Sequence, residues 1–213
     1  MLHAPAAKAM KPYKLALIFT GHMIDLPDRE LPRFPPAMER LATTAIRQRI
    51  AYAKRAAHGS VVGIASGARG GDILFLEACR KAGLDIRIVL PFPPEKFLET
   101  SVRGVAGADW ERRFTDLWRT LSPSQREALR VPKGTNPYDF CNRRMLSLAA
   151  QLAGRLRLIA LWDGKDKEPK PGGTASFVEL ARRSGGRFVH IDTETLLRRM
   201  SASRSSSGAR PEA

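Results

Sequence analysis

Cysteine and aromatic residues are scarce in this sequence. Its 213 residues include two cysteines, Cys79 and Cys141, and neither belongs to a CxxC pair. Both lie in segments with helical composition, so we expect buried free thiols rather than a disulfide or a metal site. Aromatic residues make up 7% of the chain, which disfavours nucleic-acid binding through base stacking. We expect neither a metal ion nor a cofactor.

Long hydrophobic runs are also absent. No stretch approaches the roughly 18 apolar residues that a membrane-spanning helix needs. The first residues, MLHAPAAKAMKPYK, lack the apolar segment of a secretory signal. These features predict a cytoplasmic protein with no membrane partner. No internal repeat is evident, and the sequence leaves a homo-oligomer open.

Acidic residues are few compared with basic ones, which gives a net charge of +15. Residues 61–100 hold five basic and five acidic groups, so the surplus lies mostly outside this central region. The basic residues occur singly or in pairs, as is typical of solvated helix faces. The charge favours an anionic partner, either a nucleotide, a nucleic acid or an acidic protein, without selecting one.

The stretch VVGIASGARGGD, from Val61 to Asp72, organises the predicted fold. It begins as an apolar, buried strand and ends in a glycine-rich turn, after which Ile73 to Ala82 has helical composition. Unpaired amides at a helix start, together with the helix dipole, favour a bound anion such as a phosphate. The alternative is a tight strand-to-helix turn that binds nothing. The candidate ligand contacts here are Ser66, Gly67, Arg69, Gly70, Gly71 and Asp72.

Four more apolar segments alternate with helical ones and predict further strands. The five predicted strands are Lys14 to Thr20, Val61 to Ala65, Leu84 to Leu90, Arg155 to Trp162 and Arg187 to Ile191. Short connections imply right-handed crossovers. The prediction is therefore an α/β fold with a doubly wound, Rossmann-like parallel sheet of five strands in the order 3-2-1-4-5. Ligands of such sheets bind at the carboxyl ends of the strands, where the strand order reverses.

The domain boundaries follow from composition. Residues 1–13 are predicted to form a flexible arm, 14–200 the Rossmann-like domain, and 201–213 a disordered tail. Weaker helical patterning over about 95–131 predicts a helical insertion after the third strand. The proline-rich loop that follows the first strand, from 23 to 36, is long for its position and is a candidate lid.

Other strand ends carry further candidate ligand contacts. A second glycine turn, PGGTASFVE, enters the helix after the fourth strand, and two such turns in one small sheet are harder to explain as mere connectors. The alternative for each of these residues is that it packs in the core or lies on a solvated surface and contacts no ligand. The candidates outside the first turn are Gly21, His22, Asn142, Trp162, Gly172, Gly173, Thr174 and Ser176, with Arg144 as a phosphate partner and Glu179 as a carboxylate on the same helix as the second turn.

Several of these motifs resemble the SLOG superfamily. SGARGGDILFLEA is similar to its SGxxxGxD segment, and FTGH and LPFPPEKF resemble its first and third strand ends. This Rossmann-like group includes DNA-processing protein A, the molybdenum-cofactor carriers and the Lonely Guy phosphoribohydrolases. PGGTASFVE resembles the PGGxGTxxE motif of the last of these, and CNRRM their MHxRK segment, which puts Arg144 and Glu179 on the catalytic arginine and glutamate.

The sequence departs from the hydrolase pattern in two places. Residues 162–170 separate the fourth strand from the second glycine turn, and Asn142 replaces the histidine of MHxRK. The resemblance therefore implies first a domain that binds a nucleotide or nucleotide-derived ligand, as bacterial conflict sensors do. The alternative is an N-glycosidase that acts on a nucleoside monophosphate with Arg144 and Glu179. A third reading, ranked last, is single-stranded DNA binding.

Overall fold

A computed structural model describes residues 11–165 and 171–207 of the chain. One all-parallel sheet of six strands runs through them, in the order β4-β3-β2-β1-β5-β6. The strands are β1 (Tyr13–Gly21), β2 (Val61–Ala65), β3 (Asp85–Leu90), β4 (Arg126–Ala128), β5 (Ala153–Trp162) and β6 (Arg187–Asp192).

The central strands are apolar because helices cover both faces of the sheet. All five residues of β2 are buried, as expected for a parallel strand between two helical layers. The helices are α1 (Glu39–Ala57), α2 (Gly71–Lys81), α3 (Pro94–Phe97), α4 (Trp110–Thr120), α5 (Pro137–Leu152), α6 (Thr174–Arg183) and α7 (Thr193–Ser207). Helices α1, α2, α4 and α7 pack in one hydrophobic core, and α5 and α6 in the other.

The change of face happens at β1. Successive strands run from β1 to β2 and β3 in one direction along the sheet, and from β5 to β6 in the other. Right-handed crossovers then put α1 and α2 on one face and α6 on the opposite face. The carboxyl ends of β1 and its neighbours β2 and β5 consequently border the crevice in which ligands of such sheets bind.

The predicted fold class is confirmed, but the predicted strand count and order are not. The sheet has a sixth strand, β4, inside the segment that we predicted to be a helical insertion. The five predicted strands keep their neighbours, and β4 extends the sheet beyond β3. Three half-buried or exposed residues, Arg126, Glu127 and Ala128, carry no hydrophobic pattern, which is why sequence reasoning missed them.

The rest of the insertion is largely helical. After α3, residues Leu98–Val102 form a π-helical turn, α4 follows, and Pro123–Gln125 form a short 3-10 helix that leads into β4. The ring of Phe114 lies 5.5 Å from that of Phe97 and 6.1 Å from that of Trp118. This aromatic cluster attaches the insertion to the first core.

The long loop after β1 is pinned to the domain. The carboxylate of Asp25 accepts hydrogen bonds from the backbone amides of Arg33 and Phe34, at 2.8 and 2.7 Å. The side chains of Ile24 and Phe34 are buried in the first core. The loop that we considered as a lid is therefore folded onto the sheet in this structure.

The chain termini and the cysteines complete the description. Residues 1–10 of the predicted arm and 208–213 of the predicted tail lie outside the described residues. The first part of that tail, 201–207, belongs to α7. Cys79 and Cys141 are buried free thiols, as predicted. In the described part of the chain, no helix has the length and apolarity needed to span a membrane.

Candidate functional site

A pocket of about 210 Å³ opens at the carboxyl ends of the central strands. Both glycine-rich turns contribute to it, together with the end of β1, the insertion and the first turns of α5. We call it the switch-point pocket. The described residues that line it are Phe19, Thr20, Gly21, Met23, Ser66, Ala68, Asp72, Phe97, Thr100, Ser101, Tyr138, Asn142, Met145, Gly172, Gly173 and Thr174.

Asp72 is the charged group of the first glycine turn. Its buried carboxylate accepts hydrogen bonds from the amides of Gly67 and Ala68, at 3.1 and 3.3 Å. Burial raises the pKa of Asp72 to about 7, although hydrogen bonds from the backbone of Ala68, Gly67 and Ser66 act in the opposite direction. The side chain therefore stabilises the turn and takes up a proton near neutral pH.

The glycines of this turn are required by packing. A Cβ on Gly70, whose φ is +86°, would lie 2.5 Å from the backbone nitrogen of Ile24, and one on Gly71 would lie 2.9 Å from the Phe19 ring. The guanidinium of Arg69 donates to the carbonyls of Ile24 and Arg103, at 3.3 and 2.9 Å. Gly67, Arg69, Gly70 and Gly71 thus fasten the turn to its neighbours and do not line the pocket.

The second glycine turn packs directly on α5. Gly172 has a φ of +84°, and a Cβ there would lie 2.4 Å from the Cβ of Tyr138. The side-chain amide of Asn142 donates to the Gly172 carbonyl at 3.4 Å. These contacts join the second glycine turn to α5, the helix that packs on β1 and β2.

The two helices that begin beside each other at this turn differ in their capping. Asn136 caps α5, because its side chain accepts from the amides of Tyr138 and Asp139 at 3.0 Å. No described side chain caps α6, whose N-cap residue is Gly173 and whose first helical hydrogen bond runs from Phe177 to Gly173. The first amides of α6 are therefore available to an anion in the pocket.

His22 and Trp162 lie near the pocket without lining it. The Nε2 atom of His22 accepts from the backbone amide of Asp163 at 3.2 Å, which connects the end of β5 to the loop after β1. The Trp162 ring lies 5.7 Å from that of His190, and its buried Nε1 has no partner among the described residues. His22 thus links the chain after β1 to the end of β5, and Trp162 packs the end of β5 against β6.

The proposed catalytic pair is not brought together in the pocket. Arg144 donates to the carboxylate of Glu127 at 2.9 Å and lines a separate cavity beside β4. Glu179 is exposed and pairs with Arg183 one turn further along α6. Ser176 does not line the pocket either. The geometry therefore gives no support to the N-glycosidase alternative.

Several residues that line the pocket were not predicted from the sequence. Thr100 and Ser101 reach it from the π-helical turn, a distortion that often occurs at functional sites and has no clear sequence signal. Met23 and Tyr138 line it and are 41% and 39% exposed, so they form its mouth. Tyr138 follows the helix-capping residue Asn136 by two positions, so an Asn-Pro helix start in the sequence could have predicted that it lies in the first turn of α5.

The pocket contains hydroxyls, amides and apolar groups but little charge. Among the described lining residues, Asp72 alone is ionisable in the physiological range. No group of three or more His, Cys, Asp or Glu in residues 11–165 and 171–207 is arranged to hold a metal ion. An anion in this pocket would be held by backbone amides and hydroxyls rather than by arginine or lysine.

Comparisons with known proteins do not assign a family. No family model and no curated protein matches the sequence. Two crystal structures of Streptococcus suis SuiB align with it, at TM-scores of 0.29 and 0.27 and 12% and 11% identity; the first has S-adenosylmethionine bound. The alignments cover 92% and 84% of this chain, which spans 45% and 50% of the SuiB chains. TM-scores at this level do not establish a common overall fold.

Proposed function

We propose that this chain binds a nucleotide or nucleotide-derived ligand in the switch-point pocket and serves as a ligand-sensing module. The ligand's phosphate lies against the amides at the start of α6, and its base contacts the exposed side chains of Met23 and Tyr138. One observation carries the proposal. Two glycine turns that are distant in sequence, Ser66 to Asp72 and Gly172 to Thr174, contribute to the same pocket at the carboxyl ends of parallel strands.

The start of α6, which no side chain in the described part of the chain caps, supports the phosphate position. Free amides and the positive end of the helix dipole attract an anion. The hydroxyls of Thr174, Ser66 and Thr20 line the same pocket and supply further donors. Protonated Asp72 is neutral and does not repel the phosphate, so we expect binding to strengthen as the pH falls below about 7.

The size of the pocket limits what lies inside it. Its volume of about 210 Å³ is smaller than the roughly 300–1,000 Å³ typical of sites that enclose a whole ligand. A phosphate with its sugar fills such a space, and the base then extends to the mouth. The resemblance of SGARGGDILFLEA and PGGTASFVE to SLOG motifs is consistent with a ligand of this class.

Isothermal titration against nucleoside monophosphates, cyclic nucleotides and ADP-ribose derivatives tests the proposal. The sharpest variant is Thr174→Pro, since Thr174 is the first helical residue of α6 and the preceding Gly173 has φ −77° and ψ 168°, which suit a residue before proline. This change removes one amide donor while the helix is retained. Thr174→Val removes the hydroxyl and keeps the amide.

We expect Thr174→Pro to weaken binding at least about tenfold, as the loss of one charge-assisted hydrogen bond predicts. Thr174→Val should weaken it less. Circular dichroism melting curves serve as the control for folding of both variants. If the folded protein binds no member of the panel, or if Thr174→Pro binds as tightly as the wild type, the proposed function is wrong.

A further inference from the structure

A larger cavity, of about 540 Å³, lies at the opposite end of the sheet, where β1, β5 and β6 begin. Four basic side chains line it, Lys11, Arg155, Arg157 and Arg187, and no acidic side chain does among the described residues. We call this the amino-end cavity. Its charge is unlike that of the switch-point pocket, and the function proposed above does not use it.

The absence of acid extends through the sequence that builds this region. The segments 40–71, 140–162 and 180–191 contain no aspartate or glutamate, although they contain thirteen arginines and lysines in total. All lining residues of the cavity except Lys11 and Leu15 belong to these segments, and the chain before residue 25 is also free of acid. Within the described lining of the cavity, the positive charge is therefore not neutralised by a carboxylate.

Two of the four basic side chains have structural partners, because they bind backbone carbonyls at the ends of helices. Arg155 donates to the carbonyl of Ala57, the last residue of α1, at 2.7 Å, and Lys11 donates to the carbonyl of Ala153 at 3.1 Å. Cations at such positions are stabilised by the negative end of the helix dipole or by the carbonyl itself. Neither contact neutralises the positive charge with a carboxylate.

Arg157 and Arg187 have no such explanation. They are register partners on the adjacent parallel strands β5 and β6, so both side chains project from the same face of the sheet, and both line the cavity. Within residues 11–165 and 171–207, neither forms an ion pair. Like charges directly across a pair of strands are destabilising, and a bound anion between them would remove that repulsion.

An exposed aromatic ring stands next to this pair. The guanidinium of Arg157 lies 5.6 Å from the ring centroid of Tyr52 on α1, and Tyr52 is 60% exposed. Arg49 and Arg55 are three residues before and after Tyr52, so they share its helix face, and both are exposed. A stackable ring surrounded by arginines has the composition of a single-stranded nucleic-acid site.

We propose that the amino-end cavity and the adjoining face of α1 bind single-stranded nucleic acid. Phosphates contact the four basic side chains of the cavity, and one base stacks on Tyr52. Contacts to phosphates and stacking on one ring carry little sequence information, so we expect binding to depend on charge and stacking rather than on base sequence. This site is independent of the nucleotide pocket at the other end of the sheet.

Fluorescence anisotropy with a labelled twelve-nucleotide thymidine strand tests this inference on the full chain. With about four phosphate contacts, the affinity should fall roughly 50-fold between 50 and 200 mM salt. Arg157→Gln with Arg187→Gln should weaken binding at least about tenfold and flatten the salt dependence by roughly one third to one half. Tyr52→Ala should weaken it about tenfold through lost stacking.

The matched control is Arg119→Gln with Arg130→Gln. Both residues are exposed, and they lie on α4 and after β4, at the edge of the sheet away from β6. This double variant removes the same charge and should bind almost as well as the wild type. The inference is overturned if the control loses as much affinity as the cavity variant, if Tyr52→Ala binds unchanged, or if duplex DNA or anionic phosphatidylserine vesicles bind more tightly than the single strand.

Discussion

The two ends of the sheet are built on different electrostatics. At the carboxyl end, the switch-point pocket of about 210 Å³ is lined by hydroxyls, amides and the starts of helices, with Asp72 as its ionisable group. At the amino end, a cavity of about 540 Å³ is lined by four basic side chains and the ends of helices. One end offers backbone dipoles in a small, nearly neutral pocket, and the other offers full charges in a larger cavity.

This difference has consequences for how each end responds to its environment. Interactions with buried amides are short-ranged and depend on the geometry of one turn, so they are sensitive to backbone changes and weakly screened by salt. Exposed arginines act at long range, so they are sensitive to ionic strength and tolerant of small backbone changes. We therefore expect binding at the carboxyl end to be weakened by backbone changes and by loss of the Asp72 proton, and binding at the amino end to be weakened by salt and by loss of basic side chains.

A pair of glycine substitutions tests the geometric part of this comparison and has the largest expected effect. Gly172 and Gly185 both have positive φ, +84° and +74°, and each lies at one of the two ends. A Cβ on Gly172 would lie 2.4 Å from the Cβ of Tyr138, whereas a Cβ on Gly185 meets nothing within 4 Å. We expect Gly172→Ala to lower the free energy of unfolding by about 4 kcal/mol and Gly185→Ala by about 1 kcal/mol.

Urea unfolding measures both changes. Gly172→Ala should also abolish nucleotide binding at the carboxyl end and leave the oligonucleotide affinity of the amino end within about twofold, because its distortion is local. Gly185→Ala should leave nucleotide binding at the carboxyl end unchanged. Equal destabilisation by the two substitutions would show that the close approach of the second glycine turn to α5 is not a constraint.

Proton uptake by Asp72 is the next test. Because burial raises the pKa of Asp72 from 3.8 to about 7, the folded chain keeps this proton to higher pH than the unfolded chain does. Its contribution to stability is full below the unfolded pKa and is lost as the pH rises through about 7. Asp72→Asn keeps an oxygen for the amides of Gly67 and Ala68 and has no charge to bury.

We therefore expect Asp72→Asn to gain about 2–3 kcal/mol relative to the wild type when the pH is raised from 5 to 8. Denaturant unfolding at both pH values measures the difference between the two proteins, so other titrating groups cancel. Arg157→Gln at the amino end is the control, since it changes a charge far from the first glycine turn and its effect should not follow the Asp72 proton. If the difference in unfolding free energy between Asp72→Asn and the wild type is the same at both pH values, burial does not raise the pKa of Asp72.

The fold could be predicted from the sequence where burial determines the residue pattern. The apolar runs that become β1, β2, β3 and β5 lie inside the sheet, where helices cover both faces, and β6 is an edge strand that kept enough of the pattern to be recognised; the predicted limits of all five are close to those observed. β4 could not be predicted in this way. It is a strand because Arg126, Glu127 and Ala128 pair with β3, which is a tertiary contact without a local pattern.

The same missing strand also supplies a partner for a predicted site residue. Arg144 was predicted to hold a phosphate, but its side chain is paired with Glu127, a residue of β4. The glycine turns were identified because strand-to-helix connections have a local composition. What the sequence did not reveal is that Gly70 is required by Ile24 and Gly172 by Tyr138, since these contacts join segments that are distant in the chain.

The smallest expected effect sharpens the charge side of the comparison. Arg187→Glu replaces the repulsive cross-strand pair with Arg157 by an attractive one, so the chain should become more stable by about 0.5–1 kcal/mol at low salt, and by less at 1 M salt. Arg130→Glu is the matched control, because it changes the net charge equally at an exposed residue that follows β4 and has no arginine in register. Thermal unfolding at both salt concentrations separates the two variants.

A gain for Arg187→Glu that exceeds the control, together with weaker oligonucleotide binding, means that two adjacent arginines are retained at the expense of stability, as expected of a surface that binds an anion. A gain of the same size in both variants would assign the effect to the overall charge of +15 and remove the distinction between the two ends.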